Sequence, residues 1–97
     1  MPRAIVLDSL DNVATLIDTG KAGEPCRLQG EASGELELRE DVPFGHKVCI
    51  RDASAGSDIF KYGEVIGKAS ADLRVGEYVH AHNIESARGR GDQVRKG

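Results

Sequence analysis

The sequence predicts an all-β fold of short strands with at most one helical turn. Three features carry that expectation. The 12 Gly among 97 residues are spread along the chain and break it at short intervals. The apolar runs between them are brief, and several alternate with polar residues at the period of a half-buried strand.

The elements follow in order. Ala4 to Leu7 reads as a first strand and Asn12 to Ile17 as a second, where Val13, Thr15 and Ile17 alternate with Ala14 and Leu16. Asp8 to Asp11 turns between them, and Asp11 and Asn12 are turn-making residues. Asp18 to Pro25 holds two Gly and a Pro and is a loop, with a short strand around Cys26 to Leu28 after it. In Glu35 to Glu40, Leu36 and Leu38 share one face against charged neighbours, the pattern of an outer strand. Next comes a Pro and Gly turn and a run in which His46, Val48 and Ile50 lie opposite Lys47, Cys49 and Arg51; this is taken as the central strand. Two short apolar runs fall between Gly63, Gly67 and Gly76. Ser70 to Arg74 suits a single helical turn with Ser70 or Asp72 as its cap. A last strand, Glu77 to Asn83, alternates Tyr78, His80 and His82 with Val79 and Ala81. No internal repeat is evident, and residues 88–97 read as a basic, flexible tail behind a domain at residues 1–87.

Composition limits function. A chain of 97 residues supports one core, and with no Trp, two Phe and two Tyr that core is made of Val, Ile, Leu and Ala. A partner surface would usefully complete so thin a core. The net charge of −3 argues against nucleic acid, since phosphate neutralisation needs excess Lys and Arg. No apolar run is long enough to span a bilayer and the N-terminus reaches acidic residues early, so no membrane role and a cytoplasmic location are expected. Cys26 and Cys49 are far apart in sequence and form neither a zinc nor a redox motif, which leaves two reduced thiols.

Four stretches then stand out together: DNVATLID from Asp11, VPFGHKVCIRD from Val42, KYGEVIGKASADLRVGEYVHAHN from Lys61 and ESARGRGD from Glu85. In order and spacing they resemble the N-terminal SAF domain of the altronate and galactarate dehydratase family. The resemblance implies a β-clip fold. In that family the SAF domain either precedes a large catalytic domain or is made as a separate short chain beside it, and an end at Gly97 has the look of the separate form. The family also includes sulfolactate sulfo-lyase, whose small subunit has the same kind of sequence.

The candidate site residues are polar positions within those motifs. His80 and His82, two apart on the expected strand, would leave one face with Cβ atoms roughly 6 to 7 Å apart. Such a pair can chelate a metal, clamp an anion, or simply bond loop carbonyls. His46, at a strand entrance after Gly45, can act as a general base or fill a turn niche. With His80 and His82 it forms the catalytic set. Lys61, Tyr62 and Gly63 offer a cation, a hydroxyl and a close backbone to a substrate, or a solvated lysine beside a packed ring. Asn83 can bond a ligand or hold the turn after the strand. Arg88 and Arg90 suit an acidic partner surface or solvent.

Sugar-acid dehydration needs removal of the proton α to a carboxylate, stabilisation of the enediolate and protonation of the departing hydroxyl. A module of this size with three histidines is expected to complete or cap the active site of a large catalytic dehydratase subunit. No cofactor is assigned to this chain itself; a divalent metal, iron or similar, belongs to the complex with the large subunit if anywhere. The sequence assigns no metal ligand and admits a homo-oligomer. The alternatives are the small subunit of sulfolactate sulfo-lyase and a non-catalytic module that binds a sugar acid or a protein.

Overall fold

The computed structural model describes residues 1–86, and residues 87–97, which include the expected basic tail with Arg88 and Arg90, lie outside the described residues. The described residues form nine strands and no helix: β1 (Arg3–Val6), β2 (Val13–Leu16), β3 (Pro25–Gly30), β4 (Glu35–Glu37), β5 (Lys47–Cys49), β6 (Asp58–Lys61), β7 (Glu64–Ala69), β8 (Tyr78–Val79) and β9 (Ile84–Ser86). The all-β expectation therefore holds. A six-stranded sheet runs β4-β3-β1-β2-β5-β8, and a three-stranded antiparallel sheet runs β6-β7-β9. Within the larger sheet only β1 and β3 pair in parallel.

Two hydrophobic clusters lie on opposite faces of the strands between them. Ala4, Val6, Leu16, Leu38 and Val48 belong to one; Val13, Cys49, Ile59, Leu73 and Val79 belong to the other. Neighbours in sequence split between the two: Val13 from Ala14 on β2, and Val48 from Cys49 on β5. Since side chains alternate across a strand, β2 and β5 are covered on both faces. That is how aliphatic side chains without Trp build an interior: two thin layers share a middle. The middle of the sheet's strand order is nevertheless β1 and β2, and β5 stands one place in from the edge. Expecting β5 as the central strand therefore misses by position but not by burial.

The fold repeats one local device four times. After an isolated bridge residue (Gly20, Val42, Ala53 or Leu73) comes a four-residue turn, at Lys21–Glu24, Pro43–His46, Ser54–Ser57 and Arg74–Glu77. Each turn closes by a bond from its fourth amide to its first carbonyl, at 3.0 to 3.1 Å. Each has Gly at its third position, with φ between 82 and 96°. These are type II turns, whose third position demands positive φ. The bridges pair the turns, Gly20 with Val42 and Ala53 with Leu73. Asp41, Asp52 and Asp72 each accept a bond from a backbone amide of the opposing loop, that of Ala22, Val75 and Ala55 respectively. In sequence the repeat is written only as Asp-x-x-x-Gly, at Asp41–Gly45, Asp52–Gly56 and Asp72–Gly76, with the first turn lacking the Asp, a pattern too sparse to read as a repeated unit.

The same device removes the helical turn expected at Ser70 to Arg74. Leu73 exchanges two backbone bonds with Ala53, at 2.7 and 2.9 Å, and the Asp72 carboxylate reaches Ala55 rather than capping its own segment. A tertiary partner outcompetes a local cap.

Two polar residues fasten the small sheet to the large one. Buried Asp11 accepts the Gly63 amide at 2.8 Å through Oδ1. Asn12 donates to the Asp58 carbonyl and accepts from the Phe60 amide. Both therefore do more than turn the chain. The receiving hairpin, β6 to β7, reverses through Tyr62 and Gly63 with φ of 58 and 78°, the type I′ geometry of a two-residue hairpin. A register shift along it pairs Phe60 with Val65 and Ile59 with Gly67, so Ile66 bulges out.

Candidate functional site

The turn at Pro43–His46 aims His46 at the end of β8. The Tyr78 hydroxyl and His46 Nδ1 share a hydrogen bond of 2.6 Å. Around this pair the rings gather: His46 and His80 centroids are 5.2 Å apart, Tyr78 stacks on His80 at 5.5 Å with an interplanar angle of 12°, and His82 lies 5.7 Å from Tyr78. The three histidines named from sequence thus converge, and Tyr78 is the residue in contact with all of them. Tyr78 was not singled out from sequence, although its alternation with His80 and His82 was the signal that marked it.

The last strand does not extend to Asn83 as expected. It stops at Val79, because the Asn83 side chain folds the next residues into a turn: its Oδ1 accepts the His80 amide at 2.9 Å and its Nδ2 donates to the Tyr78 carbonyl at 2.8 Å. The Asn83 and Ile84 amides both donate to the His80 carbonyl, and β9 starts from there to pair with β7. His80 and His82 are therefore presented on an exposed turn, with their shared side preserved by ring contacts rather than by strand pleat. Asn83, only 8% exposed, spends its amide group on holding that turn.

On the other side of His80 opens a cleft of about 420 Å³, lined by Lys47, Lys61, Ile66, His80, Ala81, Ile84 and Ser86. Lys61 comes from the end of β6, with its Nζ 4.8 Å from the centre of the Tyr62 ring. Lys47 comes from β5, on the face that carries Cys49 into the second cluster. Burial, and then the nearby Lys61 charge, hold the Lys47 ammonium below its ordinary pKa. Sequence inspection passed over Lys47; its signal was a lysine alternating with a residue of the core face. The bulged Ile66 supplies part of the apolar wall. Of the residues expected to bind substrate, Lys61 faces the cleft, Tyr62 stands beside it half exposed, and Gly63 completes the hairpin turn under Asp11.

The two regions meet at His80, giving hydrogen-bonding imidazoles and a phenol next to two ammonium groups. Proton transfer and carboxylate binding are the chemistries such groups support. Among the described residues no three His, Cys, Asp or Glu side chains converge as a metal-holding group. The three imidazoles are thus not set out as a three-ligand site.

Residues 2–87 match the family model described as the altronate/galactarate dehydratase SAF domain. The chain belongs to that family. It is 36% identical to altronate dehydratase of Escherichia coli K12 over 91 residues, which cover 94% of this chain and 18% of the relative. Against the alpha subunit of (2R)-sulfolactate sulfo-lyase from Chromohalobacter salexigens it is 31% identical over 88 residues, 87% of this chain and 94% of that subunit. Against galactarate dehydratase (L-threo-forming) of Escherichia coli K12 it is 39% identical over 77 residues, 77% of this chain and 14% of the relative. The SAF module is therefore less than a fifth of the dehydratases it matches and nearly the whole of the sulfo-lyase subunit, and it is homologous to domains and subunits of lyases. Among the described residues no helix is long and apolar enough to cross a membrane.

Proposed function

We propose that this chain completes the active site of a carbon–oxygen lyase of the sugar-acid dehydratase type, working against a separate catalytic partner in the cytoplasm. The observation that carries the reading is the convergence of His46, Tyr78, His80 and His82 on one exposed side of the module. A relative that is itself designated an alpha subunit supports the need for a partner.

In the dehydration, a base takes the proton from the carbon α to the carboxylate and the C–H electrons form an enediolate. The C–O bond at the neighbouring carbon then breaks, and hydroxide leaves with a proton as water. The enol product tautomerises to a 2-oxo acid. His46 is the residue we assign to proton transfer. With Nδ1–H donating to the Tyr78 oxygen, Nε2 is left with its lone pair as the base; once protonated, both nitrogens donate, and the phenol oxygen still accepts. Tyr78 thus orients the ring in both states. The exposed His80 and His82 can donate to the departing hydroxyl or to the enediolate oxygens.

Mixing the chain with a catalytic partner of the family and assaying altronate and galactarate tests this. Turnover is expected from the pair and not from the isolated chain; full turnover by the isolated chain overturns the reading. A second reading, loss of sulfite rather than hydroxide, is supported by the likeness to the alpha subunits of (2R)-sulfolactate sulfo-lyase, 31% identical over 88 residues in one and 43% over 53 in another. Sulfolactate in the same assay separates the two. If substitution of His46 weakens substrate binding but leaves kcat at saturation intact, the module only binds.

A further inference from the structure

We propose that Lys47 and Lys61, with His80 at their side, form a carboxylate-binding site whose apolar wall takes the short carbon chain next to that carboxylate. This rests on the lyase reading for the class of ligand, and on the cleft itself for the site.

The two lysines reach the same 420 Å³ cleft from different sheets, Lys47 from the large one and Lys61 from the small one. Their mutual repulsion disfavours the folded state unless something negative lies between them. The ion pairs of the described residues engage Arg3, Lys21, Arg27 and Lys68 but neither of these two lysines. Lys61 is instead held over the Tyr62 ring, which positions its ammonium without neutralising it. Lys47 is half-buried, so its charge is poorly hydrated and interacts strongly with an incoming anion. A carboxylate is the anion that fits both charge and surroundings: its two oxygens can each meet one ammonium, while Ile66, Ala81 and Ile84 suit carbon rather than further charge. Fully charged inorganic phosphate would leave oxygens against that apolar wall. His80 belongs to both this cleft and the ring cluster, so a carboxylate held here places its α-carbon toward the imidazoles.

The test is a titration of the full 97-residue chain followed by amide and lysine side-chain NMR. The probes are galactarate and malonate, with inorganic phosphate and the neutral polyol galactitol as controls. Saturable shifts are expected with both carboxylates at Lys47, Lys61 and His80 to Ile84, and none with galactitol. Lys47→Met and Lys61→Met should each weaken carboxylate binding at least tenfold, whereas Lys21→Met, at an exposed lysine paired with Asp41, should not change it. Should Lys47→Met fail to fold, the Lys61→Met arm decides. Non-saturable shifts, an equal effect of Lys21→Met, or phosphate binding as tight as the carboxylates overturns the proposal. If carboxylates bind but no family partner gives turnover, the lyase reading fails while the site stands; if turnover is restored and the titration is silent, the site fails alone.

Discussion

The hydroxyl of Tyr78 lies 2.6 Å from Nδ1 of His46 and ties the end of one strand to the turn before another. Tyr78→Phe removes that bond with little change in volume. The fold should lose about 1 kcal/mol, the typical net value of one hydrogen bond. In the assembled lyase, His46→Gln should lower kcat by about 10² to 10⁴-fold, the usual range for a lost acid–base group. Tyr78→Phe should lower it less, with KM little changed. Steady-state kinetics of both variants checks this, and an unaltered kcat in His46→Gln would remove His46 from the chemistry.

Asn83→Ala should cost about 1 to 3 kcal/mol, because the His80 amide and the Tyr78 carbonyl each lose a partner in a largely buried turn. Denaturant unfolding measures the loss. The amides of His80 to His82 should also exchange faster than those of β1, which does not depend on that turn.

Gly63 and Gly23 both have positive φ, 78 and 89°, yet their surroundings differ. A Cβ on Gly63 would meet the Asp8 carboxylate at 2.6 Å, whereas one on Gly23 meets nothing within 4 Å. Gly23→Ala should therefore cost about 1 kcal/mol, for backbone strain alone. Gly63→Ala should cost more and loosen the bond to Asp11. Equal midpoints in thermal unfolding would contradict this.

Burial pushes the Cys49 thiol up to about 11, from an ordinary value of 9.0. Between those two values the unfolded chain has released a proton that the folded chain retains, so stability contributed by this group falls as pH rises from 9 toward 11. Chemical denaturation across that range should show the decline, and Cys49→Ala should lessen it, with the buried Cys26 thiol, which burial also pushes up, carrying the remainder. Below pH 8 Cys49 should react with iodoacetamide far more slowly than a free thiol does.

Much of this was legible in the sequence, and the failures share a cause. The strands at Ala4, Val13, Cys26 and Leu36 declare themselves because period-two alternation and flanking Gly are local signals. His46, His80 and His82 were legible as residue types within motifs. What stayed hidden depends on distant partners: Asp72 bonds Ala55 instead of capping a helix, Asn83 ends a strand that alternation alone would prolong, and β9 exists because β7 offers an edge. Lys47 was hidden for the same reason, since its significance arises only when Lys61 is brought to the same cleft by another sheet.

The strand order also sets a timetable for folding. β2 must find β5 across the whole of β3 and β4, β5 must then find β8 across the β6–β7 hairpin, and β1 must pair in parallel with β3. Such distant pairings are slow to close, and chains dominated by them fold on the order of milliseconds to seconds. The hairpin at Tyr62 and Gly63, with the shortest connection of the three local antiparallel pairs β1–β2, β3–β4 and β6–β7, is able to form in about 1 to 10 μs. The half of the cleft that carries Lys61 should therefore exist early, and its other half, with the ring cluster, should arrive only when β8 docks.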